Sequence, residues 1–222
     1  MSKHAALQAL AAKRKSTRWN GYNRLSDYHK GVYECDHVSP YTKTAGNVDS
    51  SVFIMLQDWC SDSYLSMTVK PELITHGHDP SLPTNTKLKT LLCSHFGMPL
   101  GAIYGTNLFP FIKPENMSSN IPMRDLVRAA QQFGLPQIEI VAPRIVVCLG
   151  LPTYKALRSA CNKPAVTNLD SAIDSPFLYA GAWVWCQAHT GALGQNNRNK
   201  HGVDRVTSDW NRMKAKYDAM SP

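Results

Sequence analysis

Four short, mostly apolar runs rich in branched and aromatic residues recur along this chain: Ser51–Leu56, Ala102–Asn107, Arg144–Leu149 and Ala182–Ala188. Each has the length of a strand, and the apolar runs read as strands buried on both faces. Between them, apolar residues fall at helical spacing, as in Leu88, Leu91, Leu92 and Phe96, or Leu126, Val127, Ala130 and Phe133. Buried strands alternating with helices predict the α/β class: a three-layer α/β/α sandwich around a central four-stranded, mainly parallel sheet.

The rest of the chain is read around that frame. Residues 1 to about 18 predict a helix that turns basic at Lys13, Arg14, Lys15 and Arg18 and reads as a solvated, partly frayed terminus. Residues 19–47 read as a long ordered loop whose aromatics, Trp19, Tyr22, Tyr28 and Tyr33, pack it down. Residues 1–50 are thus expected to lie on a single domain spanning 51–222. Residues 63–69 suggest a short helix, and 75–85 a loop of turn formers. Thr84 or Asn85 is the expected cap of a helix beginning at Thr86. A helix from Met123 is expected to restart at Pro136. One from Pro152 carries Tyr154 and Leu157, and a last one over about 204–219 carries Val206, Trp210, Met213 and Tyr217.

Composition narrows the function classes. A formal net charge of +8 on 222 residues suggests a polyanionic partner, although solubility accounts for part of it. No apolar run approaches the ~18 residues of a membrane span. The opening residues carry no secretory pattern, so a cytoplasmic location, with the nucleic acid of the cell, is expected. The six cysteines form no C-x-x-C pair. His76, His78 and Asp79 lie in turn-forming sequence and read as exposed or hydrogen-bonded rather than as metal ligands. No G-x-S-x-G elbow supports a serine hydrolase. Cys186, inside an apolar run, reads as an inert thiol.

Three of the four predicted strands deliver a polar side chain at the carboxyl end: Asp58, Asn107 and His189. In open α/β sheets that edge is where ligands bind. Each residue has a plainer reading: Asp58 and Asn107 as caps, His189 as a satisfied structural histidine. Together they offer a carboxylate, an amide carrying both donor and acceptor, and a hydrogen-bond donor.

In this order the motifs resemble the uracil-DNA glycosylase superfamily, over roughly residues 51–217. Leu56-Gln57-Asp58-Trp59-Cys60-Ser61 resembles the water-activating motif, which reads G-Q-D-P-Y-H in the best-known branch. Thr106-Asn107 resembles the strand end that supplies the uracil-reading Asn, and Ile145–Gly150 resembles the third strand and its turn. His189-Thr-Gly-Ala-Leu193, with Arg198 beyond, resembles the H-P-S-P-L loop that presses into the minor groove. The resemblance implies a DNA glycosylase that hydrolyses the N-glycosidic bond of deoxyuridine or a related damaged base. The family's iron–sulfur branch needs four cysteines in a spacing this chain lacks, so no cluster, metal or other cofactor is expected, and single- or double-stranded DNA is the implied partner of a monomer. Asp58 and His189 would be catalytic, and Gln57, Asn107, Trp59 and Phe109 would contact the base. Leu193 would be a wedge, or else an ordinary packed loop residue. Arg198, Lys200 and Arg205 would hold phosphates, with Lys113 a weaker candidate, or serve as plain surface charge. The chain departs from the family at Leu56, Trp59, Cys60 and Thr190. Cys60 stands where a Tyr excludes the thymine methyl group, so a 5-substituted base becomes admissible. The residue that stacks on the base is unassigned: its usual region offers only His78 or Leu82, and Trp59 and Phe109 are the alternatives. A second class stays open, a non-catalytic nucleic-acid-binding protein that keeps the fold.

Overall fold

A computed structural model describes residues 1–220; residues 221 and 222, the end of the expected 51–222 unit, lie outside the described residues. The strands are β1 (Val52–Leu56), β2 (Tyr104–Asn107), β3 (Ile145–Leu149), β4 (Phe177–Tyr179) and β5 (Ala182–Gln187). The helices are α1 (Lys3–Ser16), α2 (Asp62–Ser66), α3 (Pro71–His76), α4 (Pro83–Phe96), α5 (Met123–Ala129), α6 (Leu135–Val141), α7 (Leu151–Ala160), α8 (Leu169–Ile173), α9 (Ala192–Arg198) and α10 (Arg205–Asp218).

The sheet runs in the order β2-β1-β3-β5-β4. All pairings are parallel except β4 with β5. The fold is therefore a three-layer α/β/α sandwich, with five strands in place of the expected four. The additional strand, β4, is short and joins β5 through Ala180 and Gly181, both at positive φ. A two-residue hairpin turn needs that backbone, but Ala-Gly lacks the Asn-Gly or Asp-Gly signature that announces it in a sequence.

Side-chain alternation divides the core. Phe53 and Met55 of β1 pack with Val146 and Cys148 of β3 against α1, α5, α6 and α7. Val52, Ile54 and Leu56 join Ile145, Val147 and Leu149 on the opposite face, under Leu88, Leu91 and Leu92 of α4 and Trp210 of α10. Both faces are covered, which is why the strands read as continuous apolar runs.

Local differences from the sequence reading have physical causes. The fourth helix starts at Pro83, not Thr86, because proline suits the first helical turn, where its missing N–H is not needed. Asn85 is then a buried wall residue and not a cap: it accepts from the Tyr41 hydroxyl (3.2 Å) and donates to the Asp79 carbonyl (2.6 Å). Part of the expected 75–85 loop is helical, at the end of α3. The expected restart at Pro136 is present: α6 begins at Leu135, with Pro136 in its first turn. A wider π-helical turn over Ala130–Gly134 carries α5 into α6. The Gln132 carbonyl there accepts from Lys13 Nζ at 3.3 Å.

The basic end of α1 is not wholly solvated. Arg14 is fully buried, pairs with Glu34 at 2.6 Å and donates to the Cys35 and His37 carbonyls. The segment that follows reaches the outer side of β2. Gly105 N donates to the Ala45 carbonyl (2.7 Å), and Thr42 Oγ1 donates to the Gly105 carbonyl (2.8 Å). No described helix is long and apolar enough to cross a membrane.

Candidate active site

Chain direction places the site. From β1 the sheet proceeds outward to β2, then the chain crosses back to β3 on the other side. Connections diverge at that switch point, and a crevice forms beyond the carboxyl ends of the strands. A cleft of about 430 Å³ lies there. Asp58, Asn107 and His189 all line it, with Gln57 and Trp59. Register explains the convergence, because Leu56, two residues before Asp58, pairs with Asn107 itself, and Leu149 pairs with Gln187, two residues before His189.

Asp58 is held at both oxygens. Oδ1 accepts from Gln57 Nε2 at 2.9 Å, and Oδ2 lies 2.9 Å from Lys113 Nζ. The ion pair is buried, with 10% of the Asp58 side chain and 5% of the Lys113 side chain exposed. Lys113 also donates to the Met117 carbonyl at 2.5 Å. Its ammonium is therefore inside the cleft wall and not available as a surface phosphate contact.

Asn107 is buried and its amide orientation is unambiguous. Nδ2 lies 2.7 Å from the Asp58 carbonyl, which can only accept. Ser39 Oγ donates to Oδ1 at 2.6 Å. One N–H and one acceptor lone pair remain on the amide.

His189 reaches solvent at the cleft mouth, yet the walls strip water from much of its ring. That desolvation holds its imidazolium below the usual histidine range. Asp58 pulls the other way, and Lys113 reinforces the lowering. Gly191 N–H donates to Nδ1 at 3.0 Å, so Nδ1 is an acceptor and the neutral ring carries its proton on Nε2. The loop is tied down by Gln195 Nε2, which donates to the His189 carbonyl at 2.9 Å. Gly194 passes so close that an added Cβ would sit 2.3 Å from that carbonyl oxygen. Gly194→Ala is expected to cost about 1–3 kcal/mol by overpacking and to move the His189 ring resonances. An unchanged histidine spectrum would remove Gly194 from the support of this loop.

The remaining candidates separate. Trp59 lines the cleft, but its indole is fixed, with Nε1 donating to the Gly77 carbonyl at 2.7 Å. Phe109 does not line the cleft: it is fully buried among Trp19, Tyr22 and Phe111. His78 and Leu82 do line it. His78 stacks on Tyr41 with ring centroids 5.0 Å apart and donates from Nδ1 to the His76 carbonyl. Burial lowers the His78 imidazolium, as it does that of His189. Among the described residues no group of three or more His, Cys, Asp or Glu is arranged to hold a metal.

Leu193 lies in the first turn of α9, not in a loop, and is 80% exposed. Lys200 and Arg205 are also exposed. Arg198 is not a free cation. It makes a two-point contact with Asp209, at 2.6 and 2.9 Å, and a further ion pair with Asp170. Ser39 and Lys113 are the two site residues whose parts the sequence reading missed; each acts through a partner far away in the chain. No protein-family model matches this chain, and no curated protein matches it significantly.

Proposed function

We propose that this protein is a DNA glycosylase that hydrolyses the N-glycosidic bond of deoxyuridine or a related damaged base. The observation that carries the reading is the convergence of Asp58, Asn107 and His189 on one cleft at the carboxyl edge of the sheet. The cleft is within the size range of small-molecule sites, and a base must leave the helical stack to enter such a pocket.

The chemistry follows from what each group offers. The C1′–N bond breaks, its electron pair goes to the base, and water supplies the new C1′–O bond; the proton that the water gives up balances the one the departing base anion takes on. Asp58 faces the positive charge that builds on the sugar and orients the water. His189 Nε2–H donates to the base oxygen where negative charge gathers, the kind of fixed donor that typically contributes about 10²–10³ in rate. Asn107 presents one N–H and one lone pair in an order fixed by the Asp58 carbonyl. That order suits the N–H and carbonyl of uracil. Reading cytosine would require the amide to turn over, which would set its oxygen against the Asp58 carbonyl oxygen. Exposed Leu193, Lys200 and Arg205 are the wedge and phosphate-contact candidates beside His189.

The test is a labelled single-stranded oligonucleotide with one deoxyuridine, developed with alkali to break abasic sites. Wild type is expected to cleave, and His189→Ala to lose about 10²–10³ in rate. The pH profile carries a sign. Because the His189 pKa lies below the ordinary 6.5, the rate should hold as pH falls through 6.5 and drop only at lower pH. There protonation of Nδ1 expels the Gly191 N–H. An acid limb centred above 6.5 would exclude His189 as this donor. Wild type that binds DNA but cleaves neither deoxyuridine nor a panel of damaged bases would establish the non-catalytic binding protein instead.

A further inference from the structure

Asp58 lies just past the end of β1, where the chain leaves the sheet, and a carboxylate there turns easily about its last bond, since that torsion is broad. The hydrogen bond from Gln57 fixes one oxygen only. The second oxygen is fixed by Lys113, and the Lys113 backbone is itself immobilised beside Asp58. Asp62 N donates to the Lys113 carbonyl at 2.9 Å, and Ser61 pairs with Lys113 as a parallel bridge. The ammonium thus emerges from a segment stitched to the chain that carries the carboxylate. Its other hydrogen bond, to the Met117 carbonyl, reaches the rim of the cleft, where Met117, Ser118, Ser119 and Asn120 line the opening.

We propose that Lys113 is the positioning residue of this site: its buried ammonium, shared by the Asp58 carboxylate and the Met117 carbonyl, sets the direction in which the carboxylate faces the cleft and couples it to the rim segment 113–120. What the carboxylate does there rests on the glycosylase reading. What holds it rests on the geometry alone. A nucleic-acid strand that seats on the rim presses on the same ammonium that aims Asp58. Misplacing a reacting group by about 1 Å costs on the order of 10²-fold in rate, so a carboxylate released to turn is a poor catalyst even with every reacting group present.

The experiment has one arm that needs no substrate. His189 shares the cleft with Asp58 and Lys113, which act on its ring in opposite directions. His78, Asp79, Cys60, Tyr41 and Tyr64 are the other titratable groups of the lining. The ring resonances of His189, assigned by their absence in His189→Gln, are titrated by NMR in wild type, Lys113→Met and Lys113→Arg. Removing the ammonium leaves Asp58 alone beside the ring, so the His189 midpoint is expected to move upward in Lys113→Met and to return toward wild type in Lys113→Arg. A midpoint unmoved in Lys113→Met overturns the proposal.

The second arm measures turnover of the deoxyuridine strand. Lys113→Met is expected to lose on the order of 10²-fold in kcat with KM little changed, and Lys113→Arg to recover part of it. Wild-type kcat retained in Lys113→Met overturns the proposal as well. A wild type inactive on deoxyuridine and on the panel of damaged bases, whose His189 midpoint still responds to Lys113, refutes the glycosylase reading and leaves the positioning role standing. Should Lys113→Met fail to fold, acylation of the wild type by a small amine-reactive ester decides. Lys113 is expected to react far more slowly than exposed Lys200, and equal rates would overturn the ion pair.

Discussion

Asp58→Asn is expected to lower turnover of a deoxyuridine-containing strand by at least about 10²–10³-fold, and to destabilise the protein at the same time. The two effects have different origins. On the proposed glycosylase mechanism, the rate falls because the carboxylate no longer faces the developing sugar cation. Stability falls because the Lys113 ammonium, 5% exposed, loses its counter-charge. Breaking a buried pair by removing one partner costs about 3–5 kcal/mol, which in a chain of this length lowers Tm by roughly 10 °C. Asp58→Asn/Lys113→Met separates them: the orphaned charge is gone, so most of the Tm should return while activity stays lost. A double variant with restored turnover would remove Asp58 from the chemistry. An unchanged Tm in the single variant would mean that the ion pair is absent in solution.

Arg198→Ala is expected to act on stability and not on DNA affinity. Its guanidinium neutralises Asp209, whose side chain is 8% exposed, through a two-point contact. Truncation strands that carboxylate, again at about 3–5 kcal/mol. Arg198→Ala/Asp209→Asn should recover much of the loss. The disturbance reaches the site through a short route, since Gln187 at the end of β5 donates to the Asp209 carbonyl at 3.2 Å, two residues before His189. Salt dependence supplies the contrast. Lys200→Ala or Arg205→Ala should each reduce the slope of log affinity against log salt by about one, whereas Arg198→Ala should leave it unchanged. A slope that falls in Arg198→Ala would show that DNA displaces the carboxylates.

These partnerships mark where the sequence could be read and where it could not. The strands β1, β3 and β5 were legible because both of their faces are buried and their sequences are mostly apolar; β2 is buried too, but its apolar stretch is short and gives way to Thr106 and Asn107. Asp58, Asn107 and His189 were legible for a related reason: each closes or closely follows such a run, so finding the strand finds the residue. Lys113 was not. Nothing local distinguishes a lysine before Pro114 that is buried on a carboxylate from one in water, and only the crossover from β1 to β2 brings the two together. Ser39 is the same case, 68 residues from the amide it fixes. Arg198 invited the opposite error, because a cation near His189 resembles a phosphate contact until α10 supplies Asp209. Phe109 follows the strand-end Asn closely, yet it lies two residues past β2 and packs into the core against Trp19, Tyr22 and Phe111.

The segment that laces onto the outer side of β2 has a consequence for the molecule in company. A strand at the margin of a sheet offers its unused N–H and C=O groups to any passing chain, and such margins seed aggregation unless something occupies them. Here Ala45 and Thr42 take up the Gly105 amide and carbonyl, and Asn47 N takes the Ile103 carbonyl. The first fifty residues thus act as a built-in guard strip, and one of them, Ser39, also orients the amide at the other end of that strand. A shortened protein that begins at Ser51 would lose both at once, and its bare margin would tend to recruit a second copy of itself.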